Sequence, residues 1–437
     1  MGATCTMRDI VLMLIFVGVL PFAIRYTWVA VLLWTWISVM NPHKLAFGFA
    51  NTAPLAAIAA AAAFVSLLFN PDRFRLPWQP VTLALVLFTL WMCVTTLFAI
   101  NPDAAWVQLS KVLKIQLMTL VAMIALRERK HIEWFVWVNV LSIGFYGFKG
   151  GIFTIATGGE SRVWGPPGGF IEGNNELALA LVITLPLMNY LRMVAVRGWV
   201  RASLLLMMVL CVVAAIGTQS RGAFLALMGM GLIVWMRSKG KLLTGTAVVL
   251  LVCTVLAVMP QAWEERMRTI QSYEMDGSAM GRINAWWTAF NVASSRPTGG
   301  GFEIDTAEVF ARYAPDPSNI KVAHSIYFSV LGEHGFMGLL LFLIIWILAL
   351  HSTRHIRKLA QGKPPLQWTC DLAVMCQASL IGYAVGGAFL SLAYFDLPYN
   401  IVVILVVTKR WLNVQQGVPQ SAKVAANPIG HQGAQPA

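Results

Sequence analysis

Charge is what this sequence has least of. Only 12% of its 437 residues are Asp, Glu, Lys or Arg, where a soluble domain carries about a quarter. Together with 58% hydrophobic residues and a mean hydropathy of +0.69, that shortage excludes one large water-soluble core. It implies a chain that crosses a membrane many times. Acids are scarcer than bases, 19 against 32 Lys and Arg, for a formal net charge of +13. In a polytopic membrane protein such an excess gathers in loops facing anionic lipid, so it gives no argument for a nucleic-acid partner. Cysteine is sparse as well. The six, at 5, 93, 211, 253, 370 and 376, lie mostly in apolar runs without a Cys-x-x-Cys pair, which leaves no disulfide framework or zinc cluster and suits small packing residues.

Motifs are missing too. There is no Gly-x-Ser-x-Gly elbow, Walker loop or His-Glu-x-x-His, so hydrolase, ATPase and zinc-protease readings have no residues to rest on. The Asp-x-Asp pair of metal-dependent sugar transfer is absent. Its nearest substitute, Glu303-Ile304-Asp305, is a weak candidate for a cation. The expectation is chemistry without metal or cofactor. Asp9, Lys111, Lys114, Asp371 and Asp396 fall at the edges of apolar runs and make no intramembrane relay of the kind an ion-coupled transporter needs. No small-residue cleavage site follows the first apolar run, so that run is expected to stay as an anchor.

What is present is a succession of apolar runs. They lie near 9–24, 26–40, 54–69, 81–99, 110–126, 133–157, 176–191, 203–219, 222–236, 242–259, 324–350, 370–392 and 397–411. Most are close to the ~20 residues that a helix needs to cross hydrocarbon. Basic loops follow every second run: Arg73 and Arg75; Arg127, Arg129 and Lys130; Arg192, Arg197 and Arg201; Arg237, Lys239 and Lys241; Arg354, Arg357, Lys358 and Lys363. They therefore share one side, expected to be the cytoplasm, and Lys409-Arg410 falls there as well. Parity puts the N-terminus on the other side if both early short runs span. A broken or re-entrant pair, giving about twelve spans with both ends inside, is the arrangement expected here. The opposite side receives 41–53, 100–108, 158–175, the Ser220-Arg221 junction, 260–323 and 393–400.

The predicted organisation is thus all-α and polytopic. N-terminal spans occupy 1–157, a core 158–350 includes the polar segment 260–323, C-terminal spans occupy 351–412, and a Gln-, Ala-, Pro- and Gly-rich tail, 413–437, is disordered. Within 260–323 two amphipathic helices are expected. One, Trp263 to Tyr273, has Trp263, Met267 and Ile270 on a face. The other, Gly281 to about Ala293, has an apolar stripe of Ile283, Trp286, Trp287 and Phe290. Gly299-Gly300-Gly301 and prolines 297, 315 and 317 read as flexible loop.

Cations on the side that should be poor in them are the candidates for chemistry. Arg162, Arg221 and Arg282 lie in outer segments, with Lys149 near the outer end of its run. A cation at the membrane boundary needs a carboxylate, a lipid phosphate or a ligand phosphate. An arginine fork suits bidentate phosphate contact. Taken singly, each could snorkel or pair with an acid, Glu160, Glu172, Glu264, Glu265, Glu274 and Asp276 being available, but Arg221 has no acid within ten residues on either side. Arg282 is read as the start of a helix whose backbone donors would help to hold the same anion. His324, where the polar segment meets an apolar run, is read as the start of a helix, on one face with Tyr327 and Leu331. There the helix dipole would favour a neutral imidazole able to take a proton from a sugar hydroxyl. The plainer reading of a lone histidine is a cap or packing group.

In order and spacing these pieces resemble the O-antigen ligases and polymerases that share the Wzy-C type domain, a family that includes bacterial protein O-oligosaccharyltransferases. The pieces are Arg162 with Asn174-Asn175-Glu176-Leu177-Ala178, Ser220-Arg221-Gly222-Ala223, Gly281-Arg282-Ile283, Gly299-Gly300-Gly301-Phe302, Ala323-His324-Ser325-Ile326-Tyr327 and Glu333-His334-Gly335-Phe336-Met337-Gly338. Ser325 departs from the pattern, where many members carry Asn. The stretch from Met7-Arg8-Asp9 through Met40-Asn41-Pro42 is similar to O-glycosylation ligases associated with exosortase systems. The resemblance implies a GT-C-like membrane glycosyltransferase fold of about twelve transmembrane helices with a helical periplasmic lid. It also implies a multi-pass protein of the bacterial inner membrane that transfers a glycan from undecaprenyl diphosphate to a lipid A-core sugar, inverting and metal-independent. His324 would be the base, Arg221, Arg282 and Arg162 the diphosphate ligands, and Lys149 and Tyr327 supports. Transfer to another glycan or to a protein uses the same site. A lipid-linked glycan transporter is the reading from a different class.

Overall fold

The computed structural model describes residues 7–69, 75–237, 245 and 277–417. The basic clusters at Arg73 and at Lys239-Gly240-Lys241, the 242–259 run, the Trp263 to Tyr273 helix and the tail beyond 417 lie outside the described residues. Among those described, the chain forms helices and no strand. We number them α1 (Met7–Arg25), α2 (Thr27–Met40), α3 (Leu55–Leu68), α4 (Pro80–Leu97), α5 (Pro102–Ala125), α6 (Arg129–Ala156), α7 (Asn174–Val194), α8 (Gly198–Gly217) and α9 (Arg221–Arg237). There follow α10 (Gly277–Ser295), α11 (Ala307–Tyr313), α12 (Ile326–Ala360), α13 (Gln367–Gly387) and α14 (Asp396–Gly417). Among the described residues, eight helices are long and apolar enough to cross a membrane; this is a polytopic all-α membrane protein.

Two faces are defined by contacts between helix ends. On one, the Trp28 ring stacks on His131 at 4.6 Å, Arg129 lies 4.9 Å from the centre of the Trp368 ring, and Arg410 donates to the carbonyls of Met123 (2.8 Å) and Leu126. The described basic loops gather here. On the other face, the Ile100 N–H donates to the Gly300 carbonyl at 2.7 Å, Arg296 donates to the Phe98 carbonyl at 2.6 Å, and Val163 N–H donates to the Gly217 carbonyl at 3.1 Å.

The N-terminal pair departs from expectation. α1 and α2 are an antiparallel hairpin, not a broken pair. Their turn, at Tyr26, sits beside Trp28 and Lys130 on the basic face. The other end is tied down where Arg8 donates to the Leu45 carbonyl at 3.2 Å and Ala50 N–H to the Asp9 carboxylate at 3.0 Å. The 19 residues of α1 cover ~28 Å at 1.5 Å per residue, enough to reach across. The Met7 end of α1 therefore lies on the face opposite the basic loops.

α7 and α14 are apolar all round and sit in the core. Leu177 through Ile183 of α7 and Ile401 through Val407 of α14 are fully buried. α12 is broken at Gly335, whose φ of 67° and ψ of −174° leave the helix. The break is filled by the triple glycine: Gly300 N–H donates to the Gly332 carbonyl at 2.8 Å and Gly301 N–H to the Glu333 carbonyl at 2.9 Å. A Cβ on Gly299 would stand 2.7 Å from the Glu333 carbonyl carbon, and one on Gly301 2.3 Å from the Ala99 Cβ. These glycines are thus docked backbone and not the flexible loop that composition suggests. They let donors reach carbonyls orphaned by the kink.

α10 and α11 cover the non-basic face as a small helical layer. α10 begins at Gly277, earlier than the pattern indicates. Ala285, Ala289 and Val292 are buried against Ile304, Val309, Phe310 and Ala323, while Trp287 and Phe290 stay exposed at 54% and 41%. The stripe read from the sequence is thus split: Trp287 and Phe290 face outward, as on a helix at a membrane surface, while Trp286 is half-buried against Phe328.

Candidate active site

The turn between α8 and α9 is the first support. Gln219 adopts a left-handed backbone, φ 56°. Ser220 then caps α9, its hydroxyl accepting from Ala223 N–H at 3.2 Å. Arg221 is consequently the first residue of α9, at the positive end of the helix dipole, which suits an anion. Gln219 draws in Arg162: its amide oxygen accepts from Arg162 Nε at 3.2 Å, while its amide nitrogen donates to the Gly159 carbonyl at 3.1 Å. Arg162 and Arg221, distant in sequence, are joined through one glutamine.

The second support is the start of α7. Asn174 Nδ2 donates to the Thr218 carbonyl of the same turn at 2.8 Å. Glu176, the third residue of α7, folds back over the helix start. A Cβ on Gly173 would fall 2.0 Å from Glu176 Oε2, so only glycine leaves room for that carboxylate. The other oxygen, Oε1, lies 3.8 Å from His324 Nδ1, with side-chain exposures of 15% for the acid and 31% for the histidine. That exceeds hydrogen-bond length and is within ion-pair reach.

His324 does not begin a helix. Ser325 is the N-cap of α12 and His324 precedes it, in a left-handed conformation with φ 43°. Histidine tolerates this region better than most residues, at roughly 1 kcal/mol of strain. The surroundings enforce it. Trp286 Nε1 donates to the Ala323 carbonyl at 2.7 Å, and its ring stacks on Phe328 at 4.9 Å. Ile326 fills a notch over Gly387, where a Cβ would meet it at 2.4 Å. Tyr327 donates its hydroxyl to the Ala384 carbonyl at 2.8 Å. Tyr327 therefore fixes α12 to α13 and shares no helical face with His324.

Arg282 lies in the second turn of α10, because the helix starts at Gly277. Free N-terminal N–H groups are thus not beside it, contrary to the sequence reading. It is one turn from Trp286 and so on the side of α10 that reaches the His324 segment. Lys149 is exposed on α6. His334 is a packing residue, fully buried, its Nδ1 2.7 Å from the Thr95 hydroxyl and its ring edge-on to Phe302. Among the described residues no three His, Cys, Asp or Glu groups come together as metal ligands do.

Glu303 and Asp305 lie near His324. The Asp305 side chain is exposed, with neighbouring protein crowding its carboxyl. Loss of solvation there, then the charge of Glu303, push its pKa up to about 7, with His324 pulling the other way. A carboxyl whose folded pKa is raised contributes most to stability below its ordinary pKa of 3.8, and that contribution is lost as pH rises through about 7. Asp305→Asn should accordingly melt with wild type near pH 4 and above it at pH 8. Parallel melting curves across that range would show the carboxyl titrating as in water.

The sequence reading passed over Glu176 as a partner for His324, along with Gln219 and Trp286. Glu176 carried a signal, an acid three residues after a glycine at a helix start. Its pairing with a residue of α12's approach had none.

Two arginines at one helix-capped turn and a histidine beside a carboxylate thus share one face of a bundle of membrane helices. Residues 206–343 match the model described as O-antigen ligase. Residues 7–196 match a family of unknown function. No curated protein matches the chain. The two matches divide the site: Arg221, Arg282 and His324 come from the ligase segment, Arg162 and Glu176 from the other.

Proposed function

We propose that this protein is a membrane glycosyltransferase that moves a glycan from undecaprenyl diphosphate to a hydroxyl of a lipid A-core sugar, at the periplasmic face of the bacterial inner membrane. The observation that carries the reading is the Glu176–His324 pair, set on the same face as the Arg162–Gln219–Arg221 turn. The basic loops on the opposite face support the orientation.

Arg221 and Arg282 hold the diphosphate, with Arg162 flanking the Arg221 turn. Glu176 orients His324 through Nδ1, so that Nε2 of the neutral imidazole accepts the proton of the acceptor hydroxyl. The freed oxygen attacks the anomeric carbon while the bond from that carbon to the diphosphate oxygen breaks. The electron pair leaves with undecaprenyl diphosphate, whose charge the arginines stabilise. One displacement inverts the anomeric centre, and the step as written calls on no metal. Strained His324 fits such a role, since strain persists where neighbours over-determine it.

The test is reconstitution of purified protein with lipid-linked donor and lipid A-core, read as a gel shift with and without EDTA. The expected product is glycosylated lipid A-core in both. A product only on glycan or protein acceptors would move the activity to a polymerase or protein transferase. Movement of donor across the bilayer without covalent product would make the protein a transporter.

A further inference from the structure

A cleft of about 320 Å³ opens between α6 and the loop at 162–167, lined among others by Leu45, Tyr146, Lys149, Phe153, Arg162 and Trp164. Arg221, Arg282 and His324 take no part in its lining. We propose that it binds the phosphate of an anionic glycerophospholipid, a lipid site beside the one assigned to the diphosphate donor and sharing only Arg162 with its flank.

Charge is the first argument. Two cations line the cleft and no acid does. Arg162 commits Nε to Gln219, which leaves the paired nitrogens of its fork for an oxyanion. Lys149 has no hydrogen-bond or ionic partner among the described residues. Lys44, whose Cε is 3.7 Å from where a Cβ on Gly168 would be, instead gives its ammonium to Asn51. The described basic clusters lie on the opposite face, so two cations lining one cleft here, with no acid in the lining, suit a partner anion.

The walls give the second argument. Tyr146, Lys149 and Phe153 recur at three- and four-residue steps and so share one face of α6. Phe153 is 42% exposed and Trp164, across from it, 58%. Both are aromatic, as at a membrane–water boundary. A phosphate between cations with acyl chains against Leu45, Phe153 and Trp164 satisfies both walls at once. A free anion would leave the aromatic walls in water. A lysine that merely snorkels would leave the cleft empty.

Purified full-length protein in detergent should be titrated with phosphatidylglycerol, phosphatidylcholine and inorganic pyrophosphate, counting bound lipid by native mass spectrometry and following thermal unfolding. The expectation is one phosphatidylglycerol per protein, at least tenfold tighter than phosphatidylcholine, with a raised melting temperature. Lys149→Glu, at an exposed position, should weaken it tenfold or more. Lys363→Glu, on the basic face, should not. Equal binding by wild type and Lys149→Glu would overturn the proposal. So would displacement of phosphatidylglycerol by pyrophosphate with the same gain in stability, which would make the cleft a site for headless anions.

Discussion

Arg221→Lys should lower both donor affinity and transfer rate tenfold to a hundredfold, although it keeps the charge. The reason is geometric. Arg221 is the first residue of α9, and the Ser220 cap fixes where that turn begins. Its planar fork can meet two diphosphate oxygens while the neighbouring backbone N–H groups meet others. Lysine offers a point charge on a flexible stem and cannot give two parallel bonds. Loss of one charge-assisted hydrogen bond is worth about 1.5–3 kcal/mol, and about 1.4 kcal/mol is a factor of ten. Arg282→Lys should be damaged comparably if it grips the same diphosphate. Donor titration and initial rates on both variants decide the point. Full affinity and full rate in both would make these arginines structural. Loss of melting temperature would mean the same for Arg221.

The site is assembled from two stretches that match different families, and this gives the N-terminal half a role. Glu176 reaches His324 from the segment 7–196, and Asn174 of the same turn holds the loop before Arg221. On the proposed reading, a segment described only as of unknown function thus supplies the acid beside His324, which lies in the segment matched to O-antigen ligases.

How legible this was in the sequence differs by feature. Apolar run length marked most spanning helices, because hydrocarbon demands that every backbone polar group be bonded within its own helix. Alternating basic loops gave the two faces, the described ones gathering on one. Arg162 and Arg221 were visible as cations on a face that should lack them. The hairpin of α1 and α2 was misread because 14 residues in α2 look too short to cross, while its anchoring contacts lie in the 42–51 loop and at His131. Gly299 to Gly301 were misread because composition cannot separate a glycine that bends freely from one that lets two backbones touch. The pattern puts His324 at the start of α12, two residues before the helix begins, since nothing local announces a left-handed residue before a serine cap. Its clamp comes from Trp286, Gly387 and Glu176, all remote in sequence, and pairings of that kind have no local pattern.

The most direct test of the reading is His324→Ala, with donor binding and transfer measured on the same preparation. A positioned general base contributes 10²–10⁴-fold, so product formation should fall at least a hundredfold. The change removes no hydrogen bond that holds α12: the anchors are the Trp286 bond to the Ala323 carbonyl and the Tyr327 bond to the Ala384 carbonyl. It exchanges one left-handed side chain for another that likes the region less, costing roughly 1 kcal/mol or below. Expression and melting temperature should therefore stay near wild type, and donor affinity should be unchanged because the arginines are intact. The predicted result is a folded protein that holds its lipid-linked donor and makes no product. A folded His324→Ala protein that transfers glycan at near wild-type rate would contradict the assignment of the base and with it the mechanism.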